Sequence, residues 1–281
     1  MAGTFRFGTD LWDPSHRFET SWLVSPYVLF VLRALMALYA FTVLLFNIGY
    51  QCARPALGGC EASRSSFSYF TTLTYWGIAF YMLAAAIHTF TYARYNHSLL
   101  DRFPRPLQAL HALFYSSIVT YPFLVTAVYW AILYGPSWFP NSYQAWSNIS
   151  QHAMNSLFAL IEIVLPRTNP MPPVHMLWLV VILACYLALA YVTHATKGFY
   201  TYSFLDPVKT GNLVAAYVFG IAVAILVIFG IVWCLVWARR WLTERKLGLD
   251  GRFAKGSGAG SWRGRDVEVG GHELGSRDGP K

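Results

Sequence analysis

The sequence predicts an all-α fold: a polytopic membrane protein built as a bundle of six transmembrane helices. Three observations carry that expectation. Of 281 residues, 56% are hydrophobic and only 12% are charged, against roughly 25% charged in a soluble domain. Six apolar stretches approach or exceed the length of about 20 residues that a helix needs to cross a bilayer. Nearly all Lys and Arg residues lie between those stretches or after the last one. The formal charge of +8 therefore does not point to nucleic acid, whose recognition needs basic residues gathered on a folded face.

The stretches run Pro26–Tyr50, Phe67–Tyr92, Leu107–Tyr134, Trp146–Leu165, Val174–Thr196 and Leu213–Ala238. Lipid-exposed backbone must satisfy its own hydrogen bonds, and runs such as LWLVVILACYLALAYV lack the alternation of a barrel strand, so each is expected to be helical. Ahead of them, residues 1–25 form an arm of mixed charge without a cleavable apolar core, and no signal peptide is expected. The first stretch carries Arg33 about two turns inside its start, expected to snorkel to the headgroups. Cys52 and Cys60 share the loop that follows and are candidates for a disulfide, whereas Cys185 and Cys234 read as buried apolar fillers. Beyond the domain 26–238, the stretch ARRWLTERKLGL is expected to lie on the membrane surface with its basic residues toward anionic headgroups. The tail as a whole spans 239–281, and after Gly251 it is rich in Gly, Ser and charge and is expected to be disordered.

Orientation follows from the basic residues in the connections. Arg6, Arg17, Arg94, Arg102, Arg105, Arg167 and the ten basic residues from Arg239 to Lys281 fall on one side, and Arg54, Arg64, Lys197 and Lys209 on the other. Both termini are thereby expected in the cytoplasm.

Polar residues at membrane depth are costly and mark function more often than those of a soluble core. Thr71, Thr72 and Thr74 open the second helix. The fourth carries Asn148, His152, Asn155 and Glu162 at helical spacing on one face, and Thr193 and His194 end the fifth. All three sets fall in the outer half of the membrane under this orientation. At about 1.5 Å per residue, Thr71 lies roughly 6 Å and His152 roughly 9 Å from the start of its helix. A hydroxyl and an imidazole at one depth suggest a nucleophile and its general base, because a Thr hydroxyl attacks a carbonyl only when a neighbour takes its proton. Glu162, about 15 Å along the helix from His152, is expected to be structural, and Asn148 and Asn155 are the candidates for orienting the ring.

These segments resemble the androgen-induced / androgen-dependent TFPI-regulating protein family. The similarity rests on Tyr69-Phe70-Thr71, on Trp146, His152, Ile161 and Glu162 in WSNISQHAMNSLFALIEI, on TYPFLVTAVYW, and on His194 ahead of Gly198 and YSFLD. It covers about residues 67–210. Departures are Ile149 and Ala153, where the family has His and Thr, and Lys197 inserted before Gly198. The resemblance implies a multi-pass membrane enzyme that hydrolyses fatty acid esters of hydroxy fatty acids with Thr71 and His152. No metal or cofactor is called for; the partners are the bilayer and a lipid ester. A second reading, a b-type haem protein, arises from His88, His111 and His175 near one face and His152 and His194 near the other. The first three otherwise belong at the headgroup boundary, and a non-catalytic membrane scaffold, in which the polar residues only pack helices, is the third reading.

In intact cells, tags at either terminus should be reachable only from the cytoplasm and a tag near Gly58 only from the opposite side. Protease protection checks this; an exposed Gly58 tag with cytoplasmic-side access would reverse the charge argument.

Overall fold

The computed structural model describes residues 12–135, 137–251 and 253–254. Six long helices account for most of them: α1 Pro26–Cys52, α2 Phe70–Tyr95, α3 Arg105–Leu133, α4 from 142 to 164, α5 Val174–Lys197 and α6 Leu213–Lys246. Among the described residues the sole β feature is an isolated bridge between Ser21 and Pro166. Five of the helices are long and apolar enough to cross a membrane. The fourth is roughly 34 Å long at 1.5 Å per residue, also enough for a hydrocarbon core of about 30 Å, but it is rich in polar groups. Those groups turn inward: His152, Asn155, Ala159 and Glu162 are all buried, so the bundle rather than lipid receives them.

Local chemistry sets the helix ends. Ser25 accepts from the Val28 amide, with Pro26 in the first turn of α1, where a missing N–H costs nothing. In α3, Pro122 lacks the amide that would continue the ladder and its ring crowds the preceding turn, and the helix is interrupted at Val119–Thr120. Gly198, at φ 75°, ends α5 in the left-handed conformation that a residue without Cβ adopts freely. A short helix, Gly59–Ser66, follows α1, and Cys52 and Cys60 are bonded across that turn.

The core lies between α1, α2, α3 and α4. Ala37, Ala40 and Val43 on α1 and Ala79, Ala85 and Ala86 on α2 are buried, and small side chains of this kind let two helices approach closely in lipid. α5 and α6 stand at the margin, with 17% of their most apolar windows buried against 39–44% for α1 to α3. Cys185 and Cys234 are exposed on these two helices, correcting the expectation that they fill the core. His88, His111 and His175 are buried within the bundle: His111 stacks on Tyr81 and meets His88 edge-on, and His175 bonds Ser116 at 2.7 Å.

Arg33 does not snorkel. It is 1% exposed, and its guanidinium meets both carboxylate oxygens of fully buried Glu162 at 2.7 Å. Its remaining nitrogen donates to Thr89 Oγ1 at 2.6 Å and to the Phe18 carbonyl at 2.7 Å. One cation thus joins α1, α4, α2 and the N-terminal arm. Glu162 is structural, through a partner 129 residues away.

The arm then docks on the end of α4. A helix leaves its last carbonyls without intrahelical partners, and here side chains supply them: Arg239 for Ile163 and Pro166, Trp22 for Val164 and Ser21 for Leu165. Arg17 reaches the Arg167 carbonyl and pairs with Glu244 of α6. The arm, the connection after α4 and the end of α6 therefore gather on one face. The basic segment after Ala238 is not a separate surface helix, since α6 continues through a π turn, Trp241–Lys246, with Arg239 committed to the protein. Arg240, Arg245 and Lys246 are exposed. Glu19 of the arm is buried, and burial reinforced by the charge of Asp13 pushes its carboxyl up to about 8. The tail expected to be disordered lies, from residue 255 on, outside the described residues.

Removing one partner of a buried ion pair strands the other and costs about 3–5 kcal/mol, whereas apolar replacement of both is often neutral. Glu162→Gln and Arg33→Met should each lower the thermal unfolding midpoint in detergent well below that of the double variant Arg33→Met/Glu162→Leu. Equal losses in all three would show that the pair is not coupled.

Candidate active site

The α2 helix begins at Phe70 without a side-chain cap, its preceding residue Tyr69 being extended at φ −91°, ψ 135°. Thr71 therefore sits in the first turn, where backbone N–H groups have no helical acceptor. The Tyr202 hydroxyl comes up beside this turn, next to Thr71, Phe70 and Tyr186. Tyr202 belongs to the connection that Gly198 starts. Its ring stands edge-on to Tyr69 at 5.7 Å and stacks on Phe204 at 5.2 Å. Burial raises the Tyr202 phenol above its ordinary pKa, outweighing the opposing influence of neighbouring Thr71, so it keeps its proton at neutral pH.

Thr71 lines a chamber of about 160 Å³ between α2, α3, α5, α6 and this connection. Its walls are apolar, formed by residues such as Leu124, Val128, Leu183, Leu187 and Ile221, and interrupted by Thr71, Tyr129, Tyr186 and Tyr202.

His152 lies behind one of those walls. It occupies a π turn, Ser150–Met154, in the middle of α4, and a second π turn, Tyr129–Leu133, ends α3. The two turns interlock: Tyr129 stacks face to face on the imidazole with centroids 3.5 Å apart, and Trp130 Nε1 donates to the His152 carbonyl at 2.8 Å. π turns occur often at functional sites. The ring is 8% exposed, and its Nδ1 is buried without a hydrogen-bond partner among the described residues. No hydrogen bond joins it to Thr71 in this arrangement; Tyr129 faces the chamber in front of it.

The remaining sequence candidates separate. Asn148 accepts from the Tyr129 hydroxyl at 2.9 Å and donates to Gln144 at 2.8 Å. Asn155 bonds Thr126 at 3.1 Å and the Pro122 carbonyl at 3.4 Å. Neither bonds to the imidazole, so the first orients the ring only through Tyr129 and the second ties α4 to α3. Thr74 bonds back to the carbonyls of Phe70 and Thr71, and neither it nor Thr72 lines the chamber. His194 stacks on Tyr200 with centroids 3.7 Å apart and also stands off the chamber wall. Tyr129, Tyr186 and Tyr202 were not legible as site residues; Tyr202 lies within YSFLD and Tyr129 within TYPFLVTAVYW, but the π turn that aims Tyr129 leaves no sequence signal.

A family model described as FAR-17a/AIG1-like protein matches residues 29–235, which takes in Thr71, His152 and Tyr202. Comparisons with curated proteins and with solved structures return no match.

Proposed function

The chain belongs to the FAR-17a/AIG1-like family, and from that premise we propose that this polytopic membrane protein is a lipid ester hydrolase with Thr71 as nucleophile and His152 as general base. The observation that supports it most is the placement of Thr71 at a helix N-terminus on the wall of an otherwise apolar chamber. A chamber of that character suits hydrocarbon, and its few polar groups suit one ester carbonyl. The substrate class indicated by the family resemblance, fatty acid esters of hydroxy fatty acids, matches that division. α5 and α6, the least buried helices, both line the chamber, so lipid reaches it laterally from the bilayer.

In the reaction, Thr71 Oγ1 bonds to the carbonyl carbon while His152 takes its proton, and the carbonyl electrons move to oxygen. Collapse restores the carbonyl and breaks the ester C–O bond, the departing alkoxide takes the proton from His152, and water resolves the acyl-threonine with His152 again as base. Catalytic hydrogen bonds commonly close only around bound substrate, which accommodates the separation of the two groups described above. With both termini cytoplasmic, the chemistry takes place in the outer half of the membrane.

Base assistance is worth about 10²–10⁴ in rate. Thr71→Ala and His152→Ala should each reduce hydrolysis of a long-chain ester by at least that factor, and the double variant should be hardly worse than either, because paired groups act as a unit. Turnover assays on purified, monodisperse protein check this. Near-normal turnover by folded Thr71→Ala would remove the nucleophile and leave the scaffold reading in its place.

A further inference from the structure

We infer that Tyr202 is a catalytic residue that donates its hydroxyl proton in a hydrogen bond to the ester oxygen as negative charge develops there. This rests on the reading of Thr71 as the nucleophile. A tetrahedral intermediate needs donors fixed beside the attacking oxygen before the charge appears, and between apolar walls such donors act more strongly than in water. Three tyrosine hydroxyls border this chamber. Tyr129 is spent on Asn148 at 2.9 Å. Tyr186 is spent on the Ser68 carbonyl at 3.1 Å and meets Thr201 at 3.4 Å. Tyr202 alone of the three lies against Thr71 itself.

The Tyr202 hydroxyl lies near the start of α2 and near Tyr186, on the chamber wall that it shares with Thr71, where its single proton is available to a group bound in the chamber. Packing fixes its position: the ring is held between Tyr69 and Phe204, with Tyr186 at 6.4 Å. A phenol that burial keeps protonated donates throughout the neutral range. The balance of the step is unchanged, since Tyr202 lends a hydrogen bond and gives up no proton. The carbonyl oxygen gains charge as Thr71 Oγ1 bonds to carbon, and loses it when the ester C–O bond breaks.

The full chain in detergent or nanodiscs carries the test, with Tyr202→Phe, which removes one oxygen and keeps the ring. Loss of one oxyanion donor lowers kcat by about 10²–10³, and because the bond strengthens only in the transition state, KM should stay within about twofold. A purely structural cap at the start of α2 would not give that split. In a structure of the wild-type protein phosphonylated at Thr71 by a fluorophosphonate, the phosphonyl oxygen should lie about 2.7–3.1 Å from the Tyr202 hydroxyl; this readout holds even if the variant does not fold. Turnover of folded Tyr202→Phe within about threefold of wild type, a loss carried by KM alone, or a phosphonyl oxygen turned toward other donors would overturn the assignment. If Thr71→Ala is inactive while Tyr202→Phe is normal, only the role of Tyr202 fails; if Thr71→Ala is active, the nucleophile fails and Tyr202 with it.

Discussion

The bundle depends on the neutralisation of one charge in a medium that cannot solvate it. Arg33 is set within α1 and is 1% exposed; Glu162 of α4 supplies the counter-charge, and Thr89 and the Phe18 carbonyl accept from its third nitrogen. Because the guanidinium is planar and its bonds to the carboxylate are paired, it fixes direction as well as proximity. The rotation of α4 about its own axis follows from this. With Glu162 pointed at α1, the residues that share its face, His152 and Asn155 among them, are also turned inward.

The same requirement governs the carbonyls at the end of α4, and a second helix end, the start of α2, borders the site. At the first, Trp22, Ser21 and Arg239 supply donors from the arm and from α6. At the second, where α2 starts without a side-chain cap, a tyrosine hydroxyl stands beside Thr71 and joins the wall of the site. The two interlocked π turns complete it, since an extra residue in each places Tyr129 flat on His152 and Trp130 on its carbonyl.

Much of this was legible in the sequence. All six helices follow from the lengths of their apolar stretches, and the helical spacing of 148, 152, 155, 159 and 162 marks the inward face of the fourth, whose mean hydropathy is too low to place it among the five most apolar. Thr71 was placed roughly 6 Å into the second helix; it lies in the first turn instead, because the helix begins at Phe70 rather than Phe67. The failures have a common cause: long-range partners leave no local pattern. Arg33 looked like a residue near a helix end and Glu162 like an isolated carboxylate, because the pair is separated by 129 positions. Cys185 and Cys234 looked like core because apolar residues face lipid as readily as protein in a membrane. Tyr202 escaped notice because an aromatic in a connection signals nothing until the fold brings it to the start of another helix.

The central claim is that the Thr71 hydroxyl is the reacting group of an apolar, lipid-accessible chamber. The most direct measurement is to treat the wild-type protein in native membranes with a fluorophosphonate and map the modified peptide by mass spectrometry. The account requires a single covalent adduct on Thr71, prevented by prior incubation with a long-chain ester. No adduct, or one carried by another residue while Thr71 remains unmodified, would contradict it.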